Sequence, residues 1–250
     1  MASARVLVFN IHAGKDAGGR ANLDDVASLV RSTSADVVLL QEVDRGTARS
    51  GKVDQLQVMS AATGFDRAFG RSLDYDGGLY GIAALSRARL EDAETIPLPT
   101  TPAQARAGGA VEPRAALVAT TRTPLGTLRL MTTHLDASRG DEYRLQESAH
   151  LLAVVADPPS SGVPVLVGGD FNAEPDSRVI ERLRAGGLRD AWAECGHGDG
   201  LTYPAARPVK RIDYLFLTGS LGCSAATVIE TTISDHRPLL VTVVHRERSP

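Results

Sequence analysis

Short apolar runs separated by polar turns recur along the chain and predict β-strands, while other segments carry apolar residues at helical spacing. Asn22, Asp54 and Asp176 are predicted as helix N-caps because each is a capping residue directly ahead of such a segment. Four helices are predicted, after Asn22, from Asp54 to Ala62, from Asp141 to Val155, and from Asp176 to Gly186. The predicted strands cover 5–10, 37–42, 79–85, 88–96, 111–121, 128–134, 163–169, 211–217, 226–231 and 238–244.

Strands alternate with helices at both ends of the sequence, whereas residues 66–121 contain strands and turns only. The alternation is typical of an α/β fold, and the middle segment predicts antiparallel pairing. The longest irregular pieces are 71–78 and 97–109, and loops of this kind often shape a binding cleft. We therefore expect mixed sheets within a single domain spanning 1–250.

The composition of the chain narrows the class of protein. It has 250 residues, 43% hydrophobic and 23% charged, which is ordinary for a soluble globular protein. No apolar stretch is long enough for a bilayer, and no signal-peptide pattern follows Met1, so a cytoplasmic location is expected. Cys195 and Cys223 show no paired spacing, and we expect free thiols.

The overall charge gives little support for a dedicated nucleic-acid binder. The net charge is −3 and aromatic residues make up only 4% of the chain, so a base-stacking platform has little material. A local basic rim can still coexist with a negative total. The candidates for such a rim are Arg45, Arg49, Lys52, Arg71, Arg87 and Arg89, although a solvated surface is the alternative for each.

Polar residues of catalytic type stand where the predicted strands end or begin. Asn10 with His12, Glu42, His134, and Asp170 with Asn172 follow strands, whereas Asp213 and the segment Ser234, Asp235, His236 precede them. A single such residue is ordinarily a cap or turn residue. In mixed sheets, however, the ends of some strands and the starts of others share one edge. We therefore expect this set to converge on one cleft.

The residue types in this set indicate metal-dependent phosphoester chemistry. Oxygen donors such as Asn10, Glu42 and Asp235 suit a hard cation, and no cluster of His or Cys has zinc spacing. Magnesium or manganese is expected, and magnesium sites usually also contact substrate phosphate. A serine-hydrolase triad in Ser234–His236 is disfavoured because neighbours on a strand face opposite ways. Neither a GxSxG elbow nor a P-loop occurs.

Seven motifs together resemble the endonuclease/exonuclease/phosphatase superfamily, whose members include DNase I, abasic-site endonucleases, sphingomyelinases, deadenylases and inositol polyphosphate 5-phosphatases. The resemblance implies a four-layer α/β sandwich (DNase I-like), with two mixed β-sheets packed face to face, helices outside, and a divalent-metal site at one sheet edge. The motifs are FNIH from Phe9, LLQEVD from Leu39, YGIAALSR from Tyr80, TTHLD from Thr132, GGDFN from Gly168, RIDYLFL from Arg211 and SDHRPL from Ser234.

The resemblance also implies roles for individual residues. Glu42 is similar to the principal metal ligand, with Asn10 beside it and Asp235 as a second carboxylate near the metal. Asp170 is similar to the carboxylate that orients or deprotonates the attacking water. Asn172 and His236 stand where the family contacts the phosphate.

The remaining roles follow in the same way. Asp213 stands where the family fixes the tautomer of the phosphate-contacting histidine. His134 matches a histidine of DNase I and the sphingomyelinases where abasic-site endonucleases carry tyrosine, which disfavours abasic-site repair. His12 and Arg114 recur in similar bacterial proteins. With Arg45 of the basic rim, they are the substrate-binding candidates.

The function expected from the sequence is magnesium- or manganese-dependent hydrolysis of a phosphodiester or phosphomonoester, by in-line attack of water. The favoured substrate is small or lipid-like, because the chain is acidic and poor in aromatic residues. A nuclease is the first alternative, with nucleic acid as the substrate. A non-catalytic binding module on the same fold is the second. No obligate protein partner is evident.

Overall fold

Twelve strands and five α-helices make up the regular structure of the computed structural model, which describes residues 2–104, 112–156 and 162–246. The strands are β1 Ser3–Asn10, β2 Val37–Arg45, β3 Asp66–Tyr75, β4 Gly78–Ser86, β5 Leu90–Leu98, β6 Arg114–Thr123, β7 Gly126–His134, β8 Val165–Asp170, β9 Arg189–Asp190, β10 Asp213–Leu217, β11 Leu221–Val228 and β12 Leu239–His245. The helices are α1 Leu23–Thr33, α2 Gln55–Thr63, α3 Glu142–Ala156, α4 Arg178–Ala185 and α5 Ala191–Cys195.

The strands form two six-stranded sheets, and both are mixed. The first has the order β11-β12-β1-β2-β4-β3 and the second β5-β6-β7-β8-β10-β9. The pairs β1–β2 and β7–β8 are parallel, and the other pairs are antiparallel. The predicted mixed sheets are therefore confirmed.

The two sheets pack face to face through apolar side chains. Val8 and Leu39 of the first sheet and Leu166 and Leu215 of the second belong to one buried cluster. Gly168 keeps this contact close, because a Cβ there would lie 2.7 Å from a methyl carbon of Leu39. Burial of these side chains is the main favourable contribution to the sandwich.

Helices cover the outer face of each sheet and complete the four layers. On the first sheet, Val26 of α1 and Met59 of α2 pack with Phe9 of β1. On the second, Leu151 of α3 and Ile180 of α4 join another buried cluster. The predicted four-layer sandwich is confirmed.

Strand register brings three of the predicted site residues together. His134 is paired with Asp170 across the parallel strands β7 and β8, and Asp213 is paired with Asp170 across the antiparallel strands β8 and β10. Residues in register on adjacent strands are direct neighbours. The edge of the second sheet therefore carries one carboxylate flanked by a histidine and a second carboxylate.

Several predicted boundaries were wrong. Residues 71–75 continue β3 rather than forming a loop, and β11 covers Leu221–Val228 instead of 226–231. β6 starts at Arg114, whereas the predicted start at residue 111 and residues 105–109 of the predicted loop 97–109 lie outside the described residues. These strands lie at or near sheet edges, where part of each is solvent-exposed and the hydrophobic alternation is weak.

Two predicted helix caps differ in their chemistry. Ser177, not Asp176, caps α4 by accepting a hydrogen bond from the N–H of Ile180 at 3.3 Å. Asn22 holds the N-cap position of α1 but makes no cap bond, since its amide donates to the carbonyl oxygens of Ile11 and Ile233. Asp54 caps α2 as predicted, accepting from the N–H of Gln57.

The prediction of free thiols was wrong. Cys195, at the end of α5, and Cys223 of β11 form a disulfide that closes 28 residues of sequence. The chain leaves α5 through a long connection and returns through β10 to β11, which brings the two Cα atoms to 6.0 Å. Nothing in the spacing of the two cysteines indicates this return. No described helix is long and apolar enough to cross a bilayer.

Candidate active site

A cleft of about 850 Å³ opens at the sheet edge where β7 and β8 end. Most of the predicted site residues line it. Asn10 and Asp213 lie behind the lining, in hydrogen-bond contact with residues that do line it. The predicted residues on the lining are His12, Glu42, Arg114, His134, Asp170, Asn172, Asp235 and His236.

Asp170 stands at the centre of the buried polar contacts. Its Oδ2 accepts a hydrogen bond from Nδ2 of Asn10 at 3.1 Å and lies 3.6 Å from Nε2 of both His134 and His236. Its Oδ1 accepts from the backbone N–H of Asn172 at 2.9 Å. Four groups therefore fix one carboxylate, which is only 1% exposed. Burial and the neighbouring carboxylate of Asp213 raise the pKa of Asp170 above its usual range.

His236 is paired with Asp213. Nδ1 of His236 and Oδ2 of Asp213 are 2.9 Å apart, which holds the ring and leaves Nε2 directed at Asp170. Burial alone would lower the pKa of His236, but the carboxylates of Asp213 and Asp170 outweigh it and raise that pKa. His236 is therefore the imidazolium of the site at neutral pH.

His134 differs from His236 in its charge. Burial, then the positive charges of Arg114 and His236, lower the pKa of His134 well below the ordinary value. The two histidines flank the same oxygen of Asp170, yet only one has a carboxylate of its own. The site thus holds one neutral and one charged imidazole within 3.6 Å of a single carboxylate oxygen.

Glu42 reaches the cleft through an irregularity in β2. The register of β2 against β4 shifts between Leu40 and Val43, and Glu42 has a left-handed φ of 58°. A bulge of this kind re-aims a side chain, and such backbone strain clusters at functional sites. Oε1 of Glu42 accepts from Nδ2 of Asn10 at 3.1 Å. His12 and Asn172, also on the cleft, have φ of 52° and 46°.

Asp235 and His12 are neighbours on the lining of the cleft. Nδ1 of His12 lies 3.9 Å from Oδ1 of Asp235, and the backbone N–H of His12 donates to the side chain of Asn10. The hydroxyl of Ser234 is buried and donates to the carbonyl oxygen of Asn10 at 2.8 Å. Ser234 is therefore a structural hydroxyl, in agreement with the rejected serine-hydrolase triad.

The oxygen donors around the cleft fit a hard divalent cation. Glu42, Asp170, Asp235 and Tyr203 line the same cleft. Burial first, and then the carboxylates of Asp235, Asp170 and Glu42, raise the pKa of Tyr203. Asp170, Asp213 and His236 also hold one ligand atom each within 4.8 Å of one another. Asp213 is already bonded to His236, and the carboxylates of Glu42 and Asp235 are further oxygen donors on the lining of the cleft.

The two arginines among the substrate-binding candidates differ in whether they reach the cleft. Arg114 is 4% exposed, lines the cleft and lies 3.0 Å from Oε1 of Glu112. Arg45 does not line the cleft. Its guanidinium is held by Asp54 at 2.9 Å and lies over the ring of Phe69, because the side chains of β2 beyond the bulge alternate away from the cleft.

Sequence reasoning missed several lining residues. Tyr203 packs its ring 4.7 Å from the ring of His236, and it comes from the long connection between α5 and β10. Tyr80 of β4 was also missed, whereas Arg49, a candidate of the basic rim, does line the cleft from the β2–α2 connection. Glu112 could have been noticed as the neighbour of Arg114 in the EPR segment. Tyr203 carries no spacing signal, because a long connection brings it to the cleft.

The fold and this site define a class of protein. The chain belongs to the Endonuclease/Exonuclease/phosphatase family, which it matches over residues 7–236. Its sequence is 29% identical to the protein YbhP of Escherichia coli K12 over 253 aligned positions, covering 95% of this chain and 94% of the relative.

Solved structures share the fold over the full length. A mannosyl-6-phosphatase of Bacteroides thetaiotaomicron is similar with a TM-score of 0.80 and 20% identity, covering 97% of this chain and 100% of its own. The catalytic domain of human Nocturnin is similar with a TM-score of 0.75 and 20% identity, covering 98% and 94%. At these identities the likeness concerns the fold.

Proposed function

We propose that this chain is a divalent-metal-dependent hydrolase that cleaves small phosphoesters by in-line attack of water on phosphorus. The observation that carries the proposal is the setting of Asp170, a buried carboxylate held by Asn10 and flanked at 3.6 Å by two histidines. A fixed acceptor beside a charged imidazole suits the activation of water next to a phosphoryl group. Family membership supports phosphoester hydrolysis in general.

Each residue of the set has a role in this proposal. Asp170 would orient the attacking water and accept its proton. His236, charged and held by Asp213, would donate from Nε2 to a phosphoryl oxygen, and neutral His134 would donate beside it. The amide of Asn172 has two N–H groups, one bonded to the carbonyl oxygen of Leu135, which leaves one for the phosphate.

Glu42, Asn10 and Asp235 would hold the cation, which we propose to be magnesium or manganese. Carboxylate and amide oxygens are the donors that such hard cations prefer. When bound, the cation supplies positive charge against the phosphoryl oxygens. The bulge that turns Glu42 into the cleft supports its place in this set.

A substrate panel with and without magnesium tests the proposal. Nitrophenyl phosphate, bis-nitrophenyl phosphate, plasmid DNA, RNA and phospholipids would be offered to the wild-type chain and to Asp170→Asn as the baseline. We expect magnesium-dependent hydrolysis of small phosphoesters that EDTA abolishes and Asp170→Asn lacks. Equal hydrolysis by Asp170→Asn, or full activity after exhaustive chelation, would refute the assignment. Failure on every substrate would favour the non-catalytic binding module.

The nuclease alternative predicts a different dependence on salt. A nuclease that grips several phosphates releases counterions, so its DNA binding weakens by orders of magnitude from about 50 to about 200 mM salt. The negative net charge supports weak binding instead. Binding of DNA to Asp170→Asn at both salt concentrations separates the two. Tight, steeply salt-dependent binding would promote the nuclease.

The cytoplasmic location stays a prediction, as does the absence of an obligate protein partner. The disulfide between Cys195 and Cys223 weighs against the cytoplasm, because disulfides persist mainly in oxidising compartments. Fractionation of cells that produce the protein decides between the compartments. Size-exclusion chromatography with light scattering tests for a partner copy.

A further inference from the structure

Arg49 is held rigidly at the mouth of the cleft. Its Nε and Nη2 each donate to one carboxylate oxygen of Asp44 at 2.8 Å. Asp44 is fully buried and also accepts from the hydroxyl of Thr47. A bidentate pair with a buried carboxylate fixes the plane of a guanidinium. Arg49 nevertheless remains 31% exposed and lines the cleft.

Two tyrosine rings enclose the same guanidinium. The carbon of the guanidinium lies 4.5 Å from the ring centre of Tyr75 and 5.2 Å from that of Tyr80, and the two ring centres are 6.3 Å apart. The two ring planes are inclined at 57° to each other, so the rings form two adjacent walls beside Arg49. Asp44 binds one edge of the guanidinium of Arg49. The other N–H groups of Arg49 are therefore the donors available to the cleft.

The cleft walls are rich in charged side chains and poor in aliphatic ones. Acid–base pairs besides Asp44 and Arg49 are Glu112 with Arg114 at 3.0 Å and Asp141 with Arg144 at 2.6 Å, and the lining also includes Arg139, Glu174, Asp176 and Lys210. Arg114 and Arg144 are both at least nine-tenths buried. The aliphatic side chains of the described lining are those of Ala137, Ala173 and Ile212.

These walls select among the possible organic parts of a phosphoester. An acyl chain needs a continuous apolar wall, which three small patches do not supply. A nucleobase needs an open aromatic face, but Tyr75 and Tyr80 enclose Arg49 and Tyr203 packs on His236. Hydroxyl groups both donate and accept, so they match walls that alternate guanidinium donors with carboxylate acceptors.

We propose that the substrate is a phosphate ester of a non-aromatic polyol, and that Arg49 binds it by donating to its hydroxyl oxygens. This rests on the proposed function, because the polyol is the group from which phosphate is released. Each of these acid–base pairs compensates its own charge, so the paired arginines, Arg49 among them, suit neutral hydroxyls better than a second phosphate. Arg49 would thus determine specificity without contacting the phosphorus.

The test compares phosphate monoesters that differ only in the organic part. With magnesium, kcat/KM would be measured for a hexose 6-phosphate, hexyl phosphate, a nucleoside 5′-phosphate and nitrophenyl phosphate. We expect the hexose phosphate to exceed hexyl phosphate and the nucleotide by about tenfold or more, the size of one or two hydrogen bonds. In Arg49→Gln, the loss should be about tenfold larger for the hexose phosphate than for nitrophenyl phosphate, mainly through KM.

Two further variants guard against an effect on folding. Arg49→Lys keeps the charge but loses the two-pronged geometry, so the same selective loss is expected. Arg87→Gln is the matched control, since Arg87 lies over the ring of Phe65 and beside Asp36 but does not line the cleft. Arg87→Gln should leave the ratio between the two substrates unchanged.

The outcomes separate this inference from the proposed function. Hydrolysis of nitrophenyl phosphate together with equal or better use of hexyl phosphate or the nucleotide would overturn the polyol substrate and leave the proposed function standing. An equal loss on all substrates in both Arg49 variants would make Arg49 structural and overturn its role. If no ester is hydrolysed, the proposed function fails and this inference fails with it.

Discussion

At the scale of single residues, the contacts of His134 and His236 explain why they differ. Both are buried and both lie 3.6 Å from Asp170, but only His236 is bonded to a second carboxylate, that of Asp213. A buried imidazole without its own counter-charge is neutral, whereas one with a bonded carboxylate is charged. The site therefore has two imidazoles that can donate to a phosphate but that carry different charges.

The first prediction is that Asp213 and His236 act as one unit. Asp213→Ala, His236→Ala and the double variant should each lower kcat/KM by a similar factor, on the order of 10²–10⁴. The reason is that removing either partner already destroys the charged, oriented imidazole. Steady-state kinetics with a fixed substrate measures the three losses, and circular dichroism controls for folding. Strictly multiplicative losses would show that the pair is not coupled.

At the scale of elements, α3 places an ionisable group beneath the cleft. Oε2 of Glu147 accepts the N–H of Asp136 at 2.9 Å, and the side chain is fully buried. Burial raises the pKa of Glu147 to about 7, although the bond from Asp136 and the charges of Arg114 and Arg144 act in the opposite direction. Glu147 therefore keeps its proton in the folded chain at a pH where the unfolded chain has lost it.

The second prediction concerns stability against pH. Between the ordinary pKa of 4.5 and the folded pKa of about 7, the folded state binds the extra proton. The contribution of Glu147 to the free energy of unfolding is thus largest below that window and falls as pH rises through it. Urea unfolding at about pH 5 and about pH 8 should show a fall in the wild type that is smaller in Glu147→Gln, by on the order of 2 kcal/mol.

The exposed residue Glu142, in the first turn of the same helix, provides the control. Glu142→Gln should leave the pH dependence of unfolding as it is in the wild type, since an exposed carboxylate gains little from folding. An unchanged slope in Glu147→Gln would mean that the buried carboxylate is ionised throughout the window.

Elements also show which parts of the molecule the sequence could predict. The strands β1, β7, β8 and β10 were predictable because their apolar runs are buried on both faces, and their polar ends identified His134, Asp170 and Asp213. The edge strand β3 was not predicted, because its burial is mixed along its length.

The rest of the site depends on long-range geometry that no local pattern records. The bulge that aims Glu42 was invisible, since it is a shift in pairing between two strands. Tyr203 and Arg49 reach the cleft from long connections, and their positions follow from packing of the whole sandwich. The prediction that Arg45 lies in the cleft was wrong. Arg45 follows that bulge in β2, and its side chain is bonded to Asp54 instead.

At the scale of the whole molecule, the disulfide joins a strand at the edge of a sheet to a short helix. Among the described strands β11 is the last of its sheet and pairs only with β12, and α5 is a five-residue helix. Cys195 and Cys223 tie the two together. A cross-link over a loop of this length restricts the unfolded chain and so favours the folded one.

The third prediction is that the disulfide contributes measurable stability. Reduction of the wild type, or Cys223→Ser, should lower the free energy of unfolding by about 2–4 kcal/mol. Denaturant unfolding with and without dithiothreitol measures the loss. Dithiothreitol should have no effect on Cys223→Ser, which serves as the control. If reduction leaves the wild type as stable as before, the bond has no structural role, and a reducing cytoplasm would be compatible with the fold.

The central claim for the whole molecule is that Asn10 and Glu42 of the first sheet, with Asp235 ahead of β12, hold one divalent cation beside the Asp170 cluster of the second sheet. The most direct test measures the cation itself, because it does not depend on the substrate. Manganese binding to the chelated chain would be followed by electron paramagnetic resonance, with Glu91→Gln on the exposed part of β5 as the control. We predict saturable binding by the wild type and the control, and binding at least about tenfold weaker, ~1.4 kcal/mol, in Glu42→Gln. Equal affinity in Glu42→Gln, or no binding by the wild type, would contradict the account.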